Sequence, residues 1–100
     1  MPRLVIFGEN PAEFTLEEGS TSIGRSSLND ITLDDKSVSK RHALITYQIM
    51  KNGDHKVQLA DLHSTNGTFI NGNKVNYHTL EAGDQLSIGT VACTYVEELE

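Results

Sequence analysis

The fold class is decided by residues 43–50, which read ALITYQIM. Every second position of this segment is apolar, and these positions are Ala43, Ile45, Tyr47 and Ile49. This period of two places them on one face of an extended strand, whereas a helix would need an apolar stripe at i, i+3 and i+4. Asn52-Gly53 then suits the positive φ angles of a tight hairpin turn, and Val57 and Leu59 continue the alternation. The segment therefore predicts an antiparallel β-hairpin.

The same alternation recurs along the chain in short segments that are rich in β-branched residues and separated by turn residues. Besides the hairpin, strands are predicted at residues 4–7, 14–16, 21–24, 31–33, 68–70, around 75, 85–88 and 90–96. Residues 4–7 are apolar on both faces, which predicts a buried strand, and residues 34–41 have no apolar period, which predicts a loop. A second Asn-Gly pair, Asn71-Gly72, predicts another hairpin turn. About ten to eleven short strands without a helix indicate an all-β fold, a two-sheet antiparallel β-sandwich rather than a closed barrel.

The composition limits the chain to one domain. Its 100 residues, 37% of them hydrophobic, suffice for one core, so we expect a single domain over residues 1–100 with a core of about 3–96. Residues 97–100 are mostly acidic and are expected to fray. The single cysteine, Cys93, cannot form an internal disulfide and is expected to be a small buried hydrophobe, so the predicted compartment is the cytoplasm. The longest apolar run, residues 4–7, is too short for a membrane span or a signal peptide.

The charge balance restricts the class of partner. Eight Lys and Arg against 14 Asp and Glu give a net charge of −6, which repels the phosphate backbone of nucleic acids. We therefore expect neither a nucleic acid nor a membrane as partner. Four of the bases nevertheless fall within residues 25–41, against three acids. This local excess predicts a small positive region on an acidic body.

Chemistry-bearing residues lie between the predicted strands, in loops at residues 23–26, 39–42 and 64–68. Loops at one end of a sandwich can converge into a shallow polar surface. Arg25 offers a planar charged fork that matches phosphate, Ser39 a hydroxyl donor and Lys40 a point charge, so this surface would bind an anion. Asn66 both donates and accepts, so it can pair with the main chain of an extended peptide. The alternative for Arg25 is a surface ion pair with a nearby aspartate, Asp30 or Asp34.

Four short motifs stand in order within this one domain: Gly24-Arg25, Ser39-x-x-His42, Asn66-Gly67-Thr68 and Asn71-Gly72. Each of them occurs by chance in many proteins, but the ordered set is specific. With this set the chain resembles the forkhead-associated (FHA) domains, β-sandwiches that bind phosphothreonine. The resemblance covers nearly the whole chain.

The resemblance implies a role for each matching residue. Arg25 and Ser39 would hold the phosphate with Lys40 beside it, and Thr65 and Asn66 would grip the peptide. Supporting roles fall to four further residues, namely Gly24, His42, Gly67 and Asn71. Among these, the ring of His42 would tie the loops together, the two glycines would serve backbone geometry, and Asn71 would brace the adjacent loop.

The function implied is a non-catalytic signalling module without cofactor or metal. It would bind a phosphothreonine-containing protein or peptide, a Ser/Thr kinase or its substrate. The runner-up is an FHA-like interaction or oligomerisation module that needs no phosphate. A hydrolase built from Asp61 with a nearby serine and histidine is disfavoured, because no Gly-x-Ser-x-Gly elbow occurs. A metal enzyme is disfavoured because the histidines and the cysteine lack ligand spacing.

Overall fold

The computed structural model describes residues 1–97, and this part of the chain contains no helix and eleven strands. The strands in chain order are β1 (Pro2–Ile6), β2 (Ala12–Thr15), β3 (Gly19–Gly24), β4 (Ile31–Thr32), β5 (Ala43–Ile49), β6 (His55–Asp61), β7 (Thr68–Ile70), β8 (Asn73–Val75), β9 (Tyr77–Thr79), β10 (Gln85–Ile88) and β11 (Val91–Glu97). A helix that could cross a membrane is therefore not found in residues 1–97.

The strands form two sheets, which confirms the predicted sandwich. One sheet has the order β2-β1-β11-β10-β7-β8, and the other has the order β4-β3-β5-β6-β9. Within residues 1–97 every strand pair is antiparallel except β3 with β4, so the purely antiparallel prediction is wrong at this pair. The pairing joins only the end of β3 to β4, Ile23 to Ile31 and Gly24 to Thr32. Because only the last two residues of β3 pair with β4, the chain turns back over a short distance, and the short loop at residues 25–30 suffices for this connection.

One core lies between the sheets and is filled by alternate side chains of both. The largest fully buried apolar side chains are Tyr95, Leu4, Leu16, Ile23, Ile31, Ile45, Leu59, Leu86 and Ile88. Cys93 is 1% exposed, as predicted, and burial raises the pKa of its thiol to about 12. The thiol therefore stays protonated and acts as a small apolar group.

The hairpin that decided the fold class forms with the expected alternation. Ile45 pairs with Leu59, and both are buried. The apolar face of β5 extends beyond the core at the end of the strand, where Ile49 is 50% exposed. The turn is looser than predicted, because residues 50–54 connect the strands and only Gly53 of the Asn-Gly pair has a positive φ, +91°. Asn52 instead accepts the Asp54 amide on its side chain, which suits a longer loop.

Two other predictions are corrected at the level of local structure. Strand β1 is buried on one face only, with Val5 half-buried, and Phe7 lies beyond its end at 51% exposure. Strand β9 was not predicted, because Tyr77 and Thr79 are exposed and show no apolar alternation. It forms through its backbone, at the edge of the sheet beside β6. An edge strand of this kind leaves no hydrophobic signal in the sequence.

Fraying was predicted for residues 97–100, and this prediction is wrong at Glu97, the one of these residues that the structure describes. Glu97 is the last residue of β11 and pairs with Pro2. The strands thus extend one residue beyond each limit of the expected core. Residues 98–100, for which fraying was also predicted, lie outside the described residues.

Candidate functional site

Four connections meet at one end of the sandwich. They are the loops at residues 25–30, 33–42 and 62–67 and the tight turn at residues 89–90. Backbone hydrogen bonds join them, from the Arg25 amide to the Ser39 carbonyl at 2.9 Å and from the Gly89 amide to the Gly67 carbonyl at 3.1 Å. The predicted site residues are therefore presented by loops that fix one another.

Arg25 begins the first loop and its side chain is exposed. Its Nε donates to the Val38 carbonyl at 3.0 Å, which holds the guanidinium against the second loop. Within residues 1–97 no carboxylate lies within ion-pair distance of it, and Asp30 is occupied by the amide and hydroxyl of Ser22. The terminal nitrogens of Arg25 thus have no carboxylate partner in residues 1–97, and the alternative of a surface ion pair does not apply.

Ser39 and Lys40 follow Val38 on the second loop, and their carbonyls accept the backbone amides of Arg25 and Ser26. The Ser39 hydroxyl accepts the Thr65 amide at 3.0 Å, so its own proton remains to be donated to a ligand. Lys40 is exposed, and its carbonyl accepts the Asn29 side-chain amide at 2.7 Å. That bond fixes the backbone that carries both residues. The loops that carry Arg25, Ser39 and Lys40 are thus bonded to one another, and within residues 1–97 no carboxylate is bonded to these three side chains.

Gly24 and Gly67 permit close approaches of the loops. A Cβ atom on Gly24 would lie 2.2 Å from the Lys40 carbonyl oxygen and 2.6 Å from the Asn29 amide nitrogen. No side chain fits there without movement of the backbone. Gly67 has a φ of +88°, and a Cβ atom would lie 2.9 Å from Cε of Lys74. Both positions require glycine for geometric reasons.

His42 is fully buried beneath the loops. Its Nδ1 accepts the Ser39 amide at 3.0 Å, and its Nε2 lies 2.9 Å from the Gly67 carbonyl. Because an amide only donates and a carbonyl only accepts, the ring is neutral with its proton on Nε2. The ring thus connects the loop at residues 33–42 to the loop at residues 62–67 and cannot also act as a base.

Asp61 forms a second support under the site, which the sequence indicated only weakly. It accepts the hydroxyl and amide of Ser64 at 2.6 and 3.0 Å and the hydroxyl of Thr68 at 2.8 Å. Burial alone would raise the pKa of this carboxyl, but the hydrogen bonds from Ser64 and Thr68 hold it below the usual 3.8. The ionised carboxylate therefore orders the third loop.

Replacing Asp61 with asparagine should lower the free energy of unfolding at pH 7 by about 1–3 kcal/mol, because an amide nitrogen would face hydroxyl and amide donors. Since the pKa of folded Asp61 is depressed, its contribution is present above about pH 4 and is lost as the pH falls through the folded-state value. Urea unfolding of both proteins between pH 3 and 7 should show the difference shrinking towards acid. A constant difference across that range would contradict the role of the ionised form.

Thr65 and Asn66 are exposed at the tip of the third loop. The Asn66 side-chain nitrogen donates to the Ser37 carbonyl at 2.9 Å, a contact that the sequence did not predict. Its Oδ1 and second N–H make no hydrogen bond within residues 1–97. The amide is thus held in place on one side while a donor and an acceptor stay available for a peptide backbone.

Asn71 is not brought to these loops. It lies at the other end of β7 with a φ of +51°, in the two-residue turn that its sequence predicted. Its amide donates to Asp84 and accepts from Gln85, both at 3.0 Å. Burial would raise the pKa of Asp84, but hydrogen bonds from Glu81, Asn71 and His78 lower it. Asn71 therefore braces the turn opposite the candidate site.

Ser37 joins two of these connections, a role that the sequence did not predict. Its hydroxyl donates to Asp35 at 2.6 Å and accepts the Thr90 amide at 2.9 Å, which joins the second loop to the 89–90 turn. The hydroxyl of Ser37 is the main cause of the lowered pKa of Asp35. The spacing Asp35-x-Ser37 is a local turn signal, but its partner Thr90 lies 53 positions away from Ser37.

Comparison with known proteins agrees with this geometry. The FHA domain family model matches residues 21–89. The oxoglutarate dehydrogenase inhibitor of Corynebacterium diphtheriae is 36% identical over 86 residues, which cover 86% of this chain and 57% of that protein. The chain thus spans about half the length of the curated relatives it matches.

Solved structures extend the match to the whole sandwich. A structure from a study of phosphothreonine-dependent FHA domain interactions has a TM-score of 0.88 and 30% identity, and covers 99% of this chain and 98% of its own. The FhaA FHA domain complexed with the intracellular domain of Rv3910 has a TM-score of 0.85 and 32% identity, over 95% of this chain and 99% of its own. Because the family model also matches more than half of the chain, this protein belongs to the FHA domains, the phosphothreonine-binding β-sandwich modules.

Proposed function

We propose that this chain is a single FHA domain, residues 1–100, that recruits a partner protein by binding a phosphothreonine made by a Ser/Thr kinase. Arg25, Ser39 and Lys40 bind the phosphate, and Thr65 and Asn66 hold the peptide. The observation that carries the proposal is the Arg25 guanidinium, anchored through Nε to Val38 yet unpaired with any acid of residues 1–97. An exposed fork held in this way is prepared for a dianion.

The energetics make such binding a switch. A phosphate brings a charge of about −1.5 to −2, and each charge-assisted hydrogen bond contributes roughly 1.5–3 kcal/mol. Two of them amount to about 3 kcal/mol or more, which corresponds to at least about 100-fold in affinity. An unmodified threonine would forfeit all of this.

The domain acts without catalysis or a cofactor in this proposal. Asp61 touches Ser64 and lies 3.8 Å from the His42 ring, but both ring nitrogens of His42 are taken by the backbone. The His42 ring therefore cannot serve as the base that would activate a serine hydroxyl. This geometry supports a binding role over the hydrolase alternative.

The decisive experiment is calorimetric titration with an oriented peptide library in three forms, carrying phosphothreonine, phosphoserine or unmodified threonine at the fixed position. We expect the unmodified pool to bind at least about 100-fold more weakly than the phosphothreonine pool. Equal binding of the unmodified pool would identify a phosphate-independent interaction module instead. Equal binding of inorganic phosphate and the phosphopeptides would identify a general anion site.

A further inference from the structure

A groove of about 660 Å³ opens at the same end of the sandwich as the candidate site. It lies between the β1–β2 connection, the segment that follows β4, and the 89–90 turn. Phe7 lines it at 51% exposure, and its amide donates to the Ala92 carbonyl at 3.0 Å. A large apolar ring is thus held on a fixed backbone while half of its surface faces water.

The groove is acidic, whereas Arg25 and Lys40 of the neighbouring loops are basic. Three carboxylates line it, those of Glu9, Asp34 and Asp35, and none of its lining residues is Lys or Arg. Asp35 is occupied by Ser37. Within residues 1–97 the carboxylates of Glu9 and Asp34 make no hydrogen bond or ion pair. The groove therefore offers an exposed ring and two available negative charges.

The groove is linked to the candidate site through one residue, Ser37. Asp35 and Thr90 line it, and both are hydrogen-bonded to Ser37, whose carbonyl accepts the Asn66 side chain. Asn66 is therefore separated from the rim of the groove by Ser37 alone. The occupant that reaches it most directly belongs to the same bound segment.

We propose that the groove takes a lysine or arginine side chain from the phosphothreonine-bearing segment, beside the phosphorylated residue. Such a side chain has an apolar stem and a cationic head. The stem packs on Phe7, and the cationic head pairs with Glu9 and Asp34. The face of the Phe7 ring also attracts a nearby cation. These two acids are then specificity-determining residues. The inference rests on the proposed function, because the phosphate anchors the segment.

The test uses the whole chain and an oriented phosphothreonine peptide library, degenerate on both sides of the fixed residue. Selections are compared between the wild type, the double variant Glu9→Gln/Asp34→Asn, and a matched control, Glu17→Gln/Glu18→Gln. The control removes the same charge from exposed residues of the β2–β3 connection, at the opposite end of the sandwich. It separates a local contact from a change in net charge.

We expect Lys and Arg to be enriched at one flanking position by the wild type and the control but not by the Glu9→Gln/Asp34→Asn variant. A single phosphopeptide with arginine there should bind the wild type about 5- to 10-fold more tightly than its alanine counterpart. For the double variant the ratio should fall below about 2-fold.

Other outcomes overturn the inference. Absence of basic enrichment, or equal enrichment by the double variant, would remove Glu9 and Asp34 as determinants while phosphate-dependent binding and the proposed function stand. Enrichment of aliphatic residues that is lost only in Phe7→Ser would make the groove an apolar subsite. Failure of every phosphothreonine peptide to bind the wild type would overturn the proposed function and this inference with it.

Discussion

Replacing Arg25 with alanine is expected to weaken binding of a phosphothreonine peptide by roughly 2–5 kcal/mol, about 30-fold or more. The variant loses the planar fork that is held at Val38 and leaves the phosphate without its strongest donor. The fold should persist, because Arg25 is exposed and its side chain donates a hydrogen bond only to the Val38 carbonyl within residues 1–97. The melting temperature should therefore change little.

Two companion variants make this result specific. Arg41→Ala removes the same charge from another exposed arginine of the second loop, and its effect should stay near that of a surface charge, about 0–1 kcal/mol. Arg25→Lys keeps the charge but not the fork, so its affinity should lie between those of the wild type and Arg25→Ala. Isothermal titration with one selected phosphopeptide measures all three. Unchanged affinity of a normally folded Arg25→Ala protein would disprove the phosphate site.

The net negative charge of the chain is compatible with the proposed phosphate site, because two of the three acids in that region are already hydrogen-bonded within the protein. Within residues 25–41, Asp30 is bound by Ser22 and Asp35 by Ser37. Lys40 and Arg25 have no such partner acid in residues 1–97. Long-range repulsion from a net charge of −6 is screened within about 10 Å by physiological salt, whereas these donors act at contact distance. The proposed site can thus accept a single phosphate although the chain as a whole repels a polyanion.

The sequence predicts those elements whose signal is local. Alternation in residues 43–50 gives β5, and Asn71-Gly72 gives a turn in which both residues have positive φ. Edge strand β9 escapes prediction because its stability comes from the backbone pairing with β6. The parallel contact of β3 with β4 escapes it because nothing in either strand encodes direction.

The same distinction applies to the candidate site. The residues with anion-binding chemistry can be named from the sequence, because each sits in a short polar motif between strands. Their supports are less visible: the bond from Asn66 to the Ser37 carbonyl joins residues 29 positions apart. Because every residue has a backbone carbonyl, such a contact does not require a particular type of accepting residue, and the sequence does not reveal it. Asn71 shows the converse, since its turn was predictable but its distance from the site was not.

Replacing His42 with alanine is expected to lower the free energy of unfolding by about 3–5 kcal/mol. The ring is fully buried, so its removal leaves a cavity. It also leaves the Ser39 amide without the partner that it has at 3.0 Å, and the Gly67 carbonyl keeps only its bond from the Gly89 amide. His42→Gln retains one donor and one acceptor in its amide and should lose less.

Urea unfolding at pH 7 measures these differences, with His63→Asn as the control. His63 is exposed and has a φ of +57°, which asparagine adopts readily, so that variant should stay within about 0.5 kcal/mol of the wild type. Phosphopeptide affinity of His42→Gln, measured where the variant is fully folded, then tests whether the ring also positions the loops. A His42→Ala protein within about 1 kcal/mol of the wild type would show that the surroundings close over the lost ring and that the Ser39 amide finds another partner, because the cavity and the unpaired amide together cost more than that.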